Sequence, residues 1–80
     1  MEAKIEYPCK WEYRIIGEDE DKIREFVFEL LDKQYELERK NASSNGKYIS
    51  LHLIVEVDNE EERNLIFQKL LNFEAIKMVI

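Results

Sequence analysis

The ten residues YISLHLIVEV, at positions 48–57, form the most regular pattern in the sequence. Apolar side chains occupy every second position from Ile49 to Val57, and mostly polar ones lie between them. A period of two is typical of a β-strand with one buried face. The pattern therefore predicts a central strand over 48–57, with Ser50 and His52 on the face away from the core.

The segments on either side of this strand predict a hairpin and a helix. Before it, 42–46 reads Ala-Ser-Ser-Asn-Gly, which has the composition of a turn, and 35–41 alternates again as a strand. After it, Asn59 and Glu62 have the spacing of a capping box. Apolar residues at helical spacing then predict a helix over 59–72.

The beginning of the chain predicts a strand followed by a helix, and its end predicts a further strand. Residues 9–16 alternate, which places Trp11 and Tyr13 on the core side, and Gly17 ends the strand. The acidic run 18–21 suits the positive end of a helix dipole, and we expect that helix over 19–33. Residues 75–80 predict the last strand. Its expected faces are Ile76, Met78 and Ile80 against Lys77 and Val79.

The predicted order, βαββαβ within 80 residues, is that of the ferredoxin-like α+β fold. Right-handed crossovers give a four-stranded antiparallel sheet in the order 4-1-3-2, with both helices on one face. We expect one domain over 7–80, preceded by a flexible tail over 1–6. We also expect a monomer or a weak dimer.

The open face of this sheet is expected to carry mixed charges. Hairpin closure predicts Glu36 opposite His52, and the pairing of strands 1 and 3 predicts Arg14 opposite His52 and Lys10 opposite Glu56. The same alternation predicts Glu12 near Lys77 on strand 4. Two interpretations stay open. Arg14, Ser50 and His52 form a polar binding surface, or the face is solvated and held by cross-strand ion pairs.

Composition excludes several classes of protein. The chain is 45% hydrophobic, but its longest uninterrupted apolar runs are three residues, so no segment predicts a membrane span. A net charge of −6 opposes nucleic acids and anionic membranes as partners. The single cysteine cannot form an internal disulfide, which favours the cytoplasm. With only one cysteine and one histidine, we expect no metal site and no cofactor.

The catalytic and binding motifs of other proteins with this fold do not occur here. An acylphosphatase needs a phosphate-binding loop after strand 1, where this chain has the acidic run 18–21. A copper chaperone needs two cysteines there. An RNA-recognition domain needs several aromatic side chains on the open face, where Tyr48 is the strongest candidate. No nucleophile, base and orienting group converge, so we expect a protein that is not an enzyme.

A small-molecule site is predicted where the hairpin loop meets the start of the first helix. Its candidate residues are Gly17, Ser43, Ser44, Asn45 and Lys47. The helix start offers backbone amides to an anion, but the acidic run opposes one. A zwitterion such as an amino acid satisfies both. The alternative is a mobile hairpin tip that binds nothing.

Three stretches resemble the YbeD-like family of small bacterial proteins. They are the opening YPCKWEYR at 7–14, the hairpin SSNGKYIS at 43–50 and the closing IKMVI at 76–80. The resemblance implies a ferredoxin-like fold and likeness to ACT domains, the modules that bind amino acids and regulate metabolic enzymes. It implies no catalytic residues.

We therefore predict a non-catalytic, ACT-like regulatory module that binds a small metabolite or acts on an unidentified partner protein in trans. The alternative is a protein-interaction adaptor that uses a sheet edge or the helical face and has no small-molecule ligand.

Overall fold

A computed structural model describes residues 5–40 and 47–80. Of the predicted tail, only Ile5 and Glu6 belong to the described residues. The described chain forms six elements in the predicted order: β1 Cys9–Gly17, α1 Glu20–Leu30, β2 Tyr35–Arg39, β3 Ile49–Val57, α2 Glu60–Leu71 and β4 Ile76–Val79. The βαββαβ order is thereby confirmed.

The four strands pair antiparallel in the order β2-β3-β1-β4, which is the predicted topology. The register between β1 and β3 also follows the prediction, with Lys10 opposite Glu56 and Arg14 opposite His52. Strand β3 therefore lies inside the sheet, where both of its edges are hydrogen-bonded.

The predicted register of the hairpin is wrong by two residues. Glu38, and not Glu36, lies opposite His52, and the Lys40 amide donates to the Ser50 carbonyl at 2.8 Å. Alternation fixes which face a side chain occupies, but a slip of two residues leaves every face unchanged. The hairpin connection is correspondingly longer than predicted.

The predicted faces of β4 are wrong because the strand contains a bulge. The register with β1 shifts between Ile16 and Gly17, so that Lys77 is an extra residue. Ile76 and Val79 are buried as a result, while Lys77 and Met78 are exposed. The expected approach of Glu12 to Lys77 is also wrong, because the Lys77 ammonium lies 3.8 Å from the Glu18 carboxylate instead.

Side-chain caps fix the starts of both helices. Asp19 accepts a hydrogen bond from the Lys22 amide at 3.1 Å, and Asn59 accepts one from the Glu62 amide at 2.7 Å. Helix α1 ends three residues before the predicted position, because Leu31 adopts an extended backbone. That conformation leaves Leu31 buried in the core, at 8% exposure.

The core lies between the sheet and the helices, on the face predicted for Trp11 and Tyr13. The Tyr13 hydroxyl donates to the Arg63 carbonyl of α2 at 2.7 Å, and burial raises the pKa of Tyr13 to about 12. The Arg63 guanidinium covers Trp11 at 4.5 Å from the ring centroid. The prediction that both aromatics face the helices is confirmed.

An ion pair joins the loop after α1 to the start of α2. The Lys33 ammonium lies 3.0 Å from the Glu62 carboxylate, which also accepts a hydrogen bond from the Asp58 amide at 2.7 Å. The Asp58 amide and then Lys33 lower the pKa of Glu62, and Glu62 in turn raises the pKa of Lys33.

The lowered pKa predicts how Glu62 affects stability at acid pH. A carboxyl whose pKa is lower in the folded chain stabilises it above the unfolded pKa of 4.5, and this contribution disappears as pH falls through the folded pKa. We expect Glu62→Gln to be less stable than the wild type at pH 7, with a smaller difference at pH 2.5. Urea unfolding at both values measures the difference. An equal difference at the two values would contradict a role for the charge.

Candidate functional site

The structure describes only some residues of the predicted ligand site at the hairpin. Ser43, Ser44 and Asn45 lie outside the described residues. Gly17 pairs with Ile49, so the helix start and the hairpin connection do share one end of the sheet. Binding at this place stays a prediction.

Gly17 itself is packed against other regions of the fold. It is buried, and a Cβ at this position would collide with the Ala75 carbonyl oxygen and lie 2.6 Å from Ile23 Cδ1. The helix start beside it is capped by the Asp19 carboxylate. Gly17 therefore serves close packing in this structure.

The open face brings together Arg14, Ser50 and His52. Arg14 lies opposite His52. Ser50, two residues before His52, is its neighbour on the same face of β3. His52 Nδ1 is 2.9 Å from the Glu12 carboxylate, and Glu38 is the cross-strand neighbour on β2. The three residues lie on one surface, and their binding of a ligand stays a prediction.

Two further features of the open face were not predicted. An open groove of about 610 Å³ lies at the end away from the hairpin, with Lys10, Glu36, Ile54 and Glu56 among its lining residues. At the β4 side, Met78 and Ile80 are 50% and 66% exposed. Alternation alone did not predict this apolar surface, because the bulge in β4 changes which of its side chains face outward.

Both edges of the sheet carry features that oppose strand addition. On β2, Arg24 of α1 donates to the Leu37 carbonyl at 3.3 Å and is itself paired with Glu20 at 2.8 Å. On the other edge, β4 has four residues and a bulge. Covered, short or bulged edges discourage pairing with another chain.

The helices present a groove that the sequence did not predict. It lies between α1 and the C-terminal end of α2, and we call it the helical groove. Its larger section, of about 410 Å³, is lined by Phe26, Glu29, Leu30, Lys69, Asn72 and Phe73. An adjoining smaller section, of about 250 Å³, shares Phe26, Glu29 and Phe73 and adds Lys22, Glu25 and Glu74.

Two stacked aromatic rings form the centre of the helical groove. Phe26 and Phe73 lie parallel, with ring centroids 4.2 Å apart. Helical spacing predicted Phe26 as a core residue, and it is in fact half-buried at the margin of the core. Phe73 follows the C-cap residue Asn72 and lies outside α2, so helical periodicity does not predict which way its side chain points.

Other apolar side chains of the helices are exposed. Phe28 is 72% exposed and Leu65 is 55% exposed. The spacing of α2 predicted Leu65 on its apolar face, but only Ile66 and Leu70 of that helix are buried. Aromatic side chains are enriched at interaction surfaces.

The net charge of the chain resides in the helical layer, defined as residues 18–34 and 58–74. These two segments contain 12 acidic and five basic residues, a net charge of −7 against −6 for the whole chain. The rest of the chain, with six acidic and seven basic residues, has a net charge of +1. The helical layer is therefore strongly acidic, whereas the remaining residues taken together are nearly neutral.

Residues 5–40 and 47–80 show neither a metal-ion cluster nor a membrane-spanning helix. Within these ranges no group of three or more histidine, cysteine, aspartate or glutamate side chains is placed to hold a metal ion. None of the helices there has the length and apolar character needed to cross a membrane.

Comparison with known proteins identifies the family. Residues 2–80 match the family described as protein of unknown function (DUF493). An uncharacterised protein of Helicobacter pylori strain J99 is 41% identical over 73 residues, which cover 90% of this chain and 85% of that protein. A UPF0250 protein of Pectobacterium atrosepticum is 26% identical over 80 residues, covering 95% of this chain and 91% of the relative.

A solved structure supports the same fold. The solution structure of protein HP0495 from H. pylori superimposes with a TM-score of 0.87 at 36% identity, covering 99% of this chain and 88% of that one. The resemblance to YbeD-like proteins, and the ferredoxin-like fold that it implies, are thereby confirmed. The chain belongs to the DUF493 family of proteins of unknown function.

Proposed function

We propose that the protein is a non-catalytic, ACT-like regulatory module that acts in trans on a partner protein through its helical layer. The observation that carries the proposal is the helical groove, whose stacked Phe26 and Phe73 are bordered by carboxylates. Grooves between helices that expose aromatic side chains are common docking sites for a partner segment. The lone cysteine favours a cytoplasmic setting for this activity.

The helical layer is a better candidate surface than either sheet edge. Arg24 occupies the β2 edge, and the bulge interrupts β4. The helices also expose Phe28 and Leu65 to solvent. A partner that covered this layer would bury apolar area, which is the main favourable term in association.

Site-resolved photo-crosslinking in the native cell tests this proposal. A photoreactive phenylalanine analogue replaces Phe28 or Leu65 on the helical layer, and Met78 on the open face provides the control. All three side chains are at least half exposed, so the substitutions should leave the core intact. We expect adducts of one defined mass from positions 28 and 65 only. Adducts from position 78 alone, or none, would contradict the proposal.

A second candidate function is metabolite binding on the open face. The observation that favours it is the 610 Å³ groove, where Lys10, Glu36 and Glu56 offer both signs of charge to a zwitterion. A thermal-shift panel of amino acids and nucleotides tests it, because a ligand that binds only the folded chain raises the melting temperature. A melting temperature unchanged at millimolar ligand would dismiss this candidate.

Amide chemical shifts separate the two predicted ligand sites. An amino acid in the open-face groove should shift the amide signals of residues near Lys10 and Glu56, whereas one at the hairpin should shift those of 16–20 and 41–48. Shifts confined to the helical groove would assign the ligand to neither place.

A further inference from the structure

We infer that the segment that docks in the helical groove is a basic amphipathic helix of the partner protein. The inference rests on the proposed function and adds the chemistry of the partner. It is carried by the apolar floor of the groove, by the carboxylates at its rim and by the location of the net charge.

The floor of the helical groove accepts apolar side chains. Phe26, Leu30 and Phe73 contribute to it, and all three are half-buried against the core. Their partial exposure leaves apolar area that a leucine or phenylalanine of a partner can cover. Each such side chain that becomes fully buried favours association, because apolar area removed from water is stabilising in proportion to its size.

The rim of the helical groove selects positive charge. Glu29 lines both sections of the groove, and Glu25 and Glu74 line the smaller one. The two lysines lie apart, since Lys69 lines only the larger section and Lys22 only the smaller. Taken together, the lining residues of the two sections have a net charge of −1, and the surrounding helical layer has a net charge of −7. Complementary potentials of this kind direct both encounter and register.

The groove suits a helix better than an extended strand. Its walls are residues 22–30 of α1 and residues 69–74 at the end of α2 and in the turn after it. An amphipathic helix of two to three turns, about 11–16 Å long, matches the wall that α1 provides. Such a helix places its apolar residues at i, i+3, i+4 and i+7 on the floor and its lysines beside the rim.

Three synthetic peptides of about 14 residues, roughly four helical turns, test the inference on the full chain. The first places leucine on one helical face and lysine on the other, the second replaces each lysine by glutamate, and the third scrambles the first. We expect the first peptide to shift the amides of Phe26, Glu29 and Phe73. The scrambled peptide should bind at least about tenfold more weakly, and the glutamate peptide should not bind. Affinity should fall as salt is raised.

Charge-reversal variants locate the binding. Glu29→Lys should lower the affinity for the leucine-lysine peptide by about fivefold. Lys69→Glu should raise that affinity by a similar factor, as expected for partly screened charge pairs. Glu38→Lys on the open face changes the net charge by the same amount as Glu29→Lys. It should leave the affinity within about twofold of the wild type.

Several results would overturn the inference. They are equal weakening by Glu38→Lys and Glu29→Lys, equal affinity for the scrambled peptide, or amide shifts on the open face. Failure of the inference is distinguishable from failure of the proposed function. Crosslinks at positions 28 and 65 without peptide binding reject the basic helix and keep the helical layer. Absence of those crosslinks rejects the function whatever the peptides do.

Discussion

Replacing Leu53 with alanine is expected to lower the free energy of unfolding by about 2–5 kcal/mol. Leu53 has 0% exposure in the central strand β3, where it pairs with Tyr13 on one side and Leu37 on the other. The shortened side chain removes apolar contacts and leaves a cavity that the two neighbouring strands prevent from collapsing. Urea unfolding measures the loss as a lower midpoint with an unchanged slope.

Leu65→Ala is the matched control, because the same atoms are removed from a side chain that is 55% exposed. We expect it to change stability by about 0.5 kcal/mol or less. A loss under about 1 kcal/mol for Leu53→Ala would mean that β3 is not at the centre of the core.

Alternation was sufficient to predict the faces of β1 and β3. The spacing of Trp11 and Tyr13 placed both toward the helices, and the structure places Arg63 of α2 against each of them. Apolar residues at every second position indicate that one face of the strand is buried, because alternate side chains lie on opposite faces of the sheet. The same physics explains why the order of elements and the strand order were predictable.

Register and bulges were not predictable from the same pattern. Sliding β2 by two residues exchanges Glu36 for Glu38 opposite His52 and changes no face, so alternation contains no information about it. The bulge at Lys77 reflects how Gly17 packs against the start of β4. That packing is a tertiary contact between Gly17 and Ala75, which are far apart in the sequence.

The helical groove escaped prediction because its residues come from two helices and a turn. Phe26 and Phe73 meet only when α1 and the end of α2 lie side by side. The sequence did contain one signal, since the acidic residues are concentrated in the two helical segments. Their positions were interpreted as helix starts, which explains Asp19 and Glu62 but not Glu25 or Glu29 further along α1.

Gly17→Ala is expected to destabilise the protein by about 3 kcal/mol or more, at the upper end of the usual cost of overpacking. Gly17 is the last residue of β1 and is buried under the turn that precedes β4. A methyl group there would collide with the Ala75 carbonyl oxygen, which is backbone and has little freedom to move. The neighbouring Glu18 amide donates to the same oxygen at 3.1 Å, so a shift of Ala75 would also weaken that hydrogen bond.

A second substitution separates the two contacts that crowd Gly17. The added methyl group would also lie 2.6 Å from Ile23 Cδ1, and Ile23→Val removes that atom. Because the Ala75 carbonyl remains, we expect the double variant to recover little of the lost stability, as measured by urea unfolding against each single variant. Full recovery would show that Ile23 alone crowds the site. A Gly17→Ala protein as stable as the wild type would show that Gly17 is dispensable for packing, and the predicted ligand site at the hairpin would then be its remaining explanation.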